Sequence, residues 1–374
     1  MRRLTILLVF CLAALVPARA QFFDDNNVDH WMTEYYIDKD VSHVSAFVHW
    51  IAGFDFAKNP NFSPPVTGFL VGVFTDNPDR VRGWIADVAP NAEAKTVIER
   101  ALWMSGHADL IAEVFHDSPD YVTRQAPSLM TLALETPGMW DVMWAAFSAT
   151  GNAAYPARLI DLLDDSVTFT GDPKIDAVYH RTVAWSLASN MSQHELILRM
   201  VRREAQRRTG PVQQTLKEML AKVEAERGAM PDCDGDFCAS LALVSEENLK
   251  ELDKPYDQVP VLTELHEAKT GDHIAVTFSF AGMALADDLS ADVSYDLKTI
   301  RPDGALYDSG EHKDLVALRH KVPQRFSVFD NRPMIVIIRF EPQDQRGTYR
   351  VEAVVKDNIG GKAVKLVKEI TLKD

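Results

Sequence analysis

The stretch Ile274-Ala275-Val276-Thr277-Phe278-Ser279-Phe280 places a large apolar residue at every second position, with a small or polar one between. Side chains of an extended backbone alternate between faces, so this is the pattern of a strand with one buried side. Upstream, Leu196, Ile197, Met200 and Val201 recur at three- and four-residue spacing, the period of a helix. The change of period divides the chain. From about Val28 to Arg227 the helical period holds, as in Val44, Phe47, Val48 and Ile51. Its breaks carry helix-start punctuation at Asn77-Pro78-Asp79, Ser118-Pro119-Asp120, Gly171-Asp172-Pro173 and Thr209-Gly210-Pro211. All seven tryptophans lie in this half, and Trp103, Trp144 and Trp185 stand 41 residues apart, each followed by a Leu-Ile pair. That spacing suggests stacked helical hairpins; chance spacing in an irregular bundle is the alternative.

From about Ala239 onward the period is two. Val293, Tyr295 and Leu297 alternate with polar residues, as do Tyr349, Val351, Ala353 and Val355, and Lys362 to Leu372 closes the chain with Val364, Leu366, Ile370 and Leu372. The apolar run Met334 to Ile338 reads as a central strand. Turns fall at Pro302-Asp303-Gly304 and Asn358-Ile359-Gly360-Gly361. Asp344-Gln345-Arg346-Gly347-Thr348-Tyr349 before a strand and hairpin resembles the tyrosine corner of immunoglobulin-like domains, although Val351 stands where antibody domains carry a cysteine. The expected fold class is an α-helical hairpin array or bundle followed by an Ig-like antiparallel β-sandwich. The helical domain is assigned to residues 21–230, a linker with the cysteine pair and the start of the next domain to 231–262, and the sandwich to 263–374.

The N-terminus has the three parts of a cleavable export signal: Arg2 and Arg3, an apolar run from Leu4 to Val16, and Ala18-Arg19-Ala20 before Gln21. The run is too short to span a bilayer, and no later segment is long enough. The expected location is periplasmic or secreted. Cys11 leaves with the signal, so Cys233 and Cys238 remain as an even pair in an oxidising compartment, where a disulfide is favoured over a metal site. The net charge of -15 falls to -18 when Arg2, Arg3 and Arg19 are removed, which disfavours nucleic acid as a partner.

The whole arrangement resembles a family of uncharacterised secreted or periplasmic bacterial proteins. The likeness is carried by Met139-Trp140-Asp141-Val142-Met143-Trp144-Ala145-Ala146-Phe147-Ser148-Ala149-Thr150-Gly151-Asn152 and by Gly347-Thr348-Tyr349. It implies compartment and architecture, and no catalytic residues.

Motifs of known chemistry are missing. There is no phosphate-binding loop, no nucleophile elbow and no dinucleotide fingerprint. His194-Glu195 starts like a zincin helix, but Leu198 occupies the place of the second histidine. His30, His43 and His49, with Glu34 and Asp38, make the densest group of metal-ligand types, yet His43 and His49 are about 240° apart on a helix. Asp232, Asp234 and Asp236 begin like a calcium loop and then depart from it at Phe237 and Leu243. Arg199, Arg202 and Arg203, followed by Arg207 and Arg208, are the strongest basic cluster in an acidic chain. A water-facing helix side explains them; otherwise they dock an acidic partner or the chain's own C-terminal domain, and the first three are the candidate partner-binding residues.

No cofactor and no metal is expected. The leading functional expectation is an exported non-enzymatic binding or scaffold protein with a protein or cell-envelope partner. The alternative is an extracytoplasmic hydrolase assembled around His107, His116 or His180.

Overall fold

The computed structural model describes residues 23–24, 27–116, 119–225, 230–254 and 260–373. The export-signal segment, Ser118, Gly228 and the Pro255-Tyr256-Asp257 text lie outside the described residues. The first half is helical: α1 Val28–Glu34, α2 Val44–Gly53, α3 Ser63–Asp76, α4 Pro78–Ile85, α5 Ala92–Met104, α6 Ala108–Phe115, α7 Pro137–Thr150, α8 Ala154–Ala157, α9 Pro173–Gln193, α10 Glu195–Arg207 and α11 Gly210–Ala225. Proline occupies the first turn of α3, α4, α7 and α9, where its missing N–H costs nothing. Asp172 caps α9 by accepting from the Lys174 amide at 2.9 Å. The Pro119 region makes only a 3-10 turn, Asp120–Thr123.

α3 and α7 cross closely at the centre of the first core because α3 is small where they meet. A methyl at Gly68 would strike the backbone of Val142, and one at Gly72 would lie 2.6 Å from the Ala149 methyl. Aromatic rings fill one end, where Phe23, Trp31, Tyr35, Phe47 and Phe69 meet edge to face or tilted.

The second half comprises β1 Asp232–Asp234, β2 Phe237–Ser245, β3 Glu267–Ala268, β4 His273–Ala281, β5 Val293–Ile300, β6 Leu306–Leu318, β7 Phe329–Asp330, β8 Val336–Arg339, β9 Gly347–Asp357 and β10 Lys362–Leu372. One sheet runs β1-β2-β4-β7, with β8 also on β4; the other runs β3-β10-β9-β5-β6. All pairings are antiparallel except β3 with β10. Phe237, Leu241, Val276, Phe278, Tyr295, Val351 and Val355 fill the space between the sheets. Helices followed by an Ig-like sandwich are therefore the fold class, and the tyrosine corner is present. Tyr349 is buried, and its hydroxyl donates to the Gln345 carbonyl at 3.0 Å. Asp357 fastens the β9–β10 turn: its carboxylate accepts from the amides of Gly360 and Ala284, each at 2.9 Å.

The start of the sandwich within 231–262 lies at Asp232, where β1 pairs with β2, and Phe237 to Ser245 pairs residue for residue with β4. Residues 231–262 thus hold a full strand of the sandwich, and the cysteines sit in its first hairpin. One expectation is corrected: Met334 to Ile338 is not a central strand. Only Val336–Arg339 pairs, with β4 alone, and Met334 is exposed.

Candidate functional site

The cysteines come first, because they shape the acidic turn. Cys233 faces Cys238 across the β1–β2 hairpin and the two are disulfide-bonded, with Cα atoms 4.0 Å apart. Gly235, at φ +64, opens a two-residue turn, the place where a hairpin of this length needs a residue tolerant of positive φ. The turn directs the carboxylates apart. Asp234 accepts from the Ala363 amide at 3.2 Å, and Asp236 pairs with Arg325 at 3.3 Å. Asp234 and Asp236 thus bind the protein's own chain, Asp232 is exposed, and among the described residues no group of three His, Cys, Asp or Glu is arranged to hold a metal ion.

Asp236 belongs to a polar network at the junction of the two halves. The α9–α10 corner inserts His194 and Glu195, 1% and 3% exposed, against the loop before β7. The Glu195 amide donates to the Pro323 carbonyl at 2.7 Å, and the Gln324 side-chain amide donates to the Met191 carbonyl at 2.9 Å. The Glu195 carboxylate lies 3.2 Å from Arg199 Nε and 3.8 Å from Arg325 Nε. The second contact is an ion pair too long for a hydrogen bond, and among the described residues Arg325 Nε and Glu195 Oε2 make none. Leu285, Leu289 and Phe326 of the sandwich join the apolar cluster around α9, α10 and α11, so the halves share packed surface. Leu289 has φ +71. His194 Nδ1 meets the Tyr36 hydroxyl at 3.0 Å, with the Tyr36 and Phe147 rings edge-on to the imidazole. Burial lowers its pKa to about 4, so the ring is neutral at pH 7, and burial together with Glu34 and Glu195 pushes Tyr36 far above the ordinary phenol value.

The arginine cluster is absorbed by this junction and its surroundings. Arg199, expected opposite the apolar face, is partly buried and reaches the Leu285 carbonyl at 3.4 Å as well as Glu195. Arg202 pairs with Glu224 of α11 at 3.2 Å, and Arg203 lies 3.9 Å from Glu204. Arg207 and Arg208 share Glu204, and Arg208 also meets Asp161 at 2.6 Å. Only Arg203 and Arg207 remain largely in water, at 61% and 70% side-chain exposure.

The histidines are dispersed. His30 lies 3.6 Å from Glu34, His43 3.6 Å from Asp40, and His49 bonds its own helix at Ser45. Asp38 is exposed. His107 and His116 flank the eight-residue α6, roughly 13 Å apart along its axis. His180 has a backbone carbonyl at each ring nitrogen, Leu162 at 2.8 Å and Val167 at 3.1 Å. A cleft of about 220 Å³ opens among Val28, Asp29, Trp50, Phe54, Asn59 and Phe62, below the roughly 300 Å³ at which sites for larger ligands begin.

The remaining candidate is the outer face of α9. Trp103 packs on Tyr121 and donates to the Arg124 carbonyl, and Trp144 lies against the third core, but Trp185 is 70% exposed. The three tryptophans are therefore not structurally equivalent. Ile175 and Val178, on the same side of α9, are 43% and 47% exposed. Val183, Leu187 and Met191, with the hydrogen-bonded Asp176 at one end, cover the buried side, so α9 carries apolar residues on two faces. The exposed face was visible in the sequence as a second set of apolar residues at helical spacing. The junction was not, because Glu195, Asp236 and Arg325 have no sequence relation.

No family model and no curated protein matches the chain. Among solved structures, it is similar to an immunoglobulin-like protein from Pseudomonas aeruginosa, 12% identical, over 40% of this chain and 99% of that one, with a TM-score of 0.20. The alkylpurine DNA glycosylase AlkC from Pseudomonas fluorescens is 13% identical over 83% of this chain and 76% of that one, with a TM-score of 0.21. A family 123 glycoside hydrolase from Clostridium perfringens is 10% identical over 37% of this chain, with a TM-score of 0.23, and the chain spans only 27% of its length. No activity passes to this chain from likenesses of this size.

Proposed function

We propose that this is an exported binding or scaffold protein of the cell envelope that works by holding a protein partner on the outer face of α9. The observation that carries the reading is Trp185, exposed beside Ile175 and Val178 while the other aromatic residues among the described ones are buried or partly buried. A tryptophan standing in water on a rigid helix is the residue type that contributes most when a partner covers it. The export-like N-terminal sequence and the disulfide support a location outside the cytoplasm. Among the described residues no helix is long and apolar enough to cross a membrane. Arg199, Arg202 and Arg208 of α10 are paired with internal acids, and only Arg203 and Arg207 of that cluster stay largely in water, which favours α9 over α10 as the docking surface.

The test is capture from an envelope extract by the full chain and by its Trp185→Ala variant, with bound proteins identified by mass spectrometry. The reading expects a specific partner to be retained by the first and lost by the second. A partner retained equally by both refutes it.

A further inference from the structure

Resting on the α9 docking reading, we infer that the partner presents an amphipathic helix with acidic flanks, which lies along α9 as one strand of a two-helix coiled-coil seam. Ile175, Val178, Thr182, Trp185 and Ser189 follow one another at intervals of three, four, three and four residues. That is the a/d spacing of a heptad seam, roughly 21 Å long at 1.5 Å per residue. The two polar members do not disrupt it. The Thr182 hydroxyl donates to the Val178 carbonyl at 2.9 Å, which turns its polar atom to its own helix, and Ser189 Oγ accepts from Gln193 at 3.1 Å.

Charge selects the occupant. Lys174 and Arg181 are seven residues apart, so both occupy the g position that borders this seam. Both are exposed, and neither has an ion-pair partner among the described residues, whereas the arginines of the neighbouring α10 are paired. A second copy of this chain would not satisfy them. In an antiparallel pair g faces g, which sets these cations against their own copies. In a parallel pair g faces e, where this helix offers Tyr179 and Ser186. A partner helix with Glu or Asp beside its apolar stripe satisfies both cations, and the large Trp185 needs a small residue or a gap opposite it.

The experiment uses the full chain and two fluorescein-labelled helical peptides of roughly three heptads, with Leu and Ala in the seam. One carries Glu at its e and g positions and the other Lys. Fluorescence anisotropy should show the Glu peptide binding about tenfold or more tighter than the Lys peptide, by an amount that shrinks as salt is raised. Trp185→Ala should weaken binding about 30-fold. The double variant Lys174→Glu/Arg181→Glu should reverse the preference, and because every changed residue is exposed, circular dichroism should be unaltered. Equal binding of the two peptides, binding by neither, or an unreversed preference overturns the inference. If neither peptide binds while Trp185→Ala still loses the envelope partner, the acidic helix is wrong and the α9 docking reading stands. If the Glu peptide binds in the expected order but Trp185→Ala keeps the envelope partner, the docking function is wrong and the peptide preference stands.

Discussion

His194 makes this fold sensitive to acid. In the folded protein the imidazole is 1% exposed, and burial holds its pKa at about 4, whereas an unfolded-chain histidine titrates near 6.5. The unfolded chain therefore binds more protons between these values, and stability rises with pH through that window. The contribution is fully present above about pH 6.5 and is lost as the pH falls towards 4. At pH 5 an imidazole of pKa near 6.5 is about 97% protonated and one of pKa about 4 is about 10% protonated, so the folded state loses about 2 kcal/mol relative to pH 7.5 from this group alone. A loss of that size is a large fraction of an ordinary domain's stability. Urea unfolding followed by circular dichroism at several pH values, on the wild type and on His194→Asn, isolates the effect. Asparagine keeps an acceptor for the Tyr36 hydroxyl but does not titrate. The variant loses ring packing on Phe147 and starts less stable at pH 7.5, yet its stability should fall with acid by about 2 kcal/mol less than that of the wild type. Parallel curves for the two proteins would refute the assignment, and would mean that the imidazole is solvated or finds a partner for its proton.

Three further outcomes follow from the packing. Glu195→Ala leaves Arg199 only the Leu285 carbonyl and Arg325 only Asp236, and because both arginines keep these partners and some access to water the cost should be about 1–2 kcal/mol rather than the full value for a buried pair; a change under about 0.5 kcal/mol in urea unfolding would show that the network contributes nothing. Denatured, unreduced protein should show no free thiol at Cys233 and Cys238, and reduction should lower stability by about 2 kcal/mol, the small value set by a short loop; two titratable thiols before reduction would rule out the bridge. Gly68→Ala should destabilise by about 1–3 kcal/mol as the new methyl meets Val142, whereas Gly83→Ala on α4, which meets nothing, should change stability by less than about 0.5 kcal/mol or raise it; equal effects would mean that α3 and α7 are not in close contact.

What the sequence made legible was periodic, and what it hid was long-range. Alternation in Ile274 to Phe280 and helical spacing around α10 depend on neighbours within one element, so both halves could be read from local pattern. The tyrosine corner was readable for the same reason: Tyr349 and Gln345 are four residues apart. By contrast, nothing near Arg199 in sequence announces that Leu285 lies beside it, or that Asp236 and Arg325 close the same junction. The alternation from about Ala239 falls on β2, but β1 is hidden because Asp232 to Asp236 reads as a polar loop, although it holds the short strand and turn of a disulfide-closed hairpin. On α9 the pattern was present and under-read. A helix with one buried face should show one apolar stripe, and α9 shows two, Val183-Leu187-Met191 facing inward and Ile175-Val178-Trp185 facing out. The inward set accounts for the fold of this chain by itself. The outward set adds no buried area to that fold and exposes apolar surface to water, and the proposed docking face rests on that set.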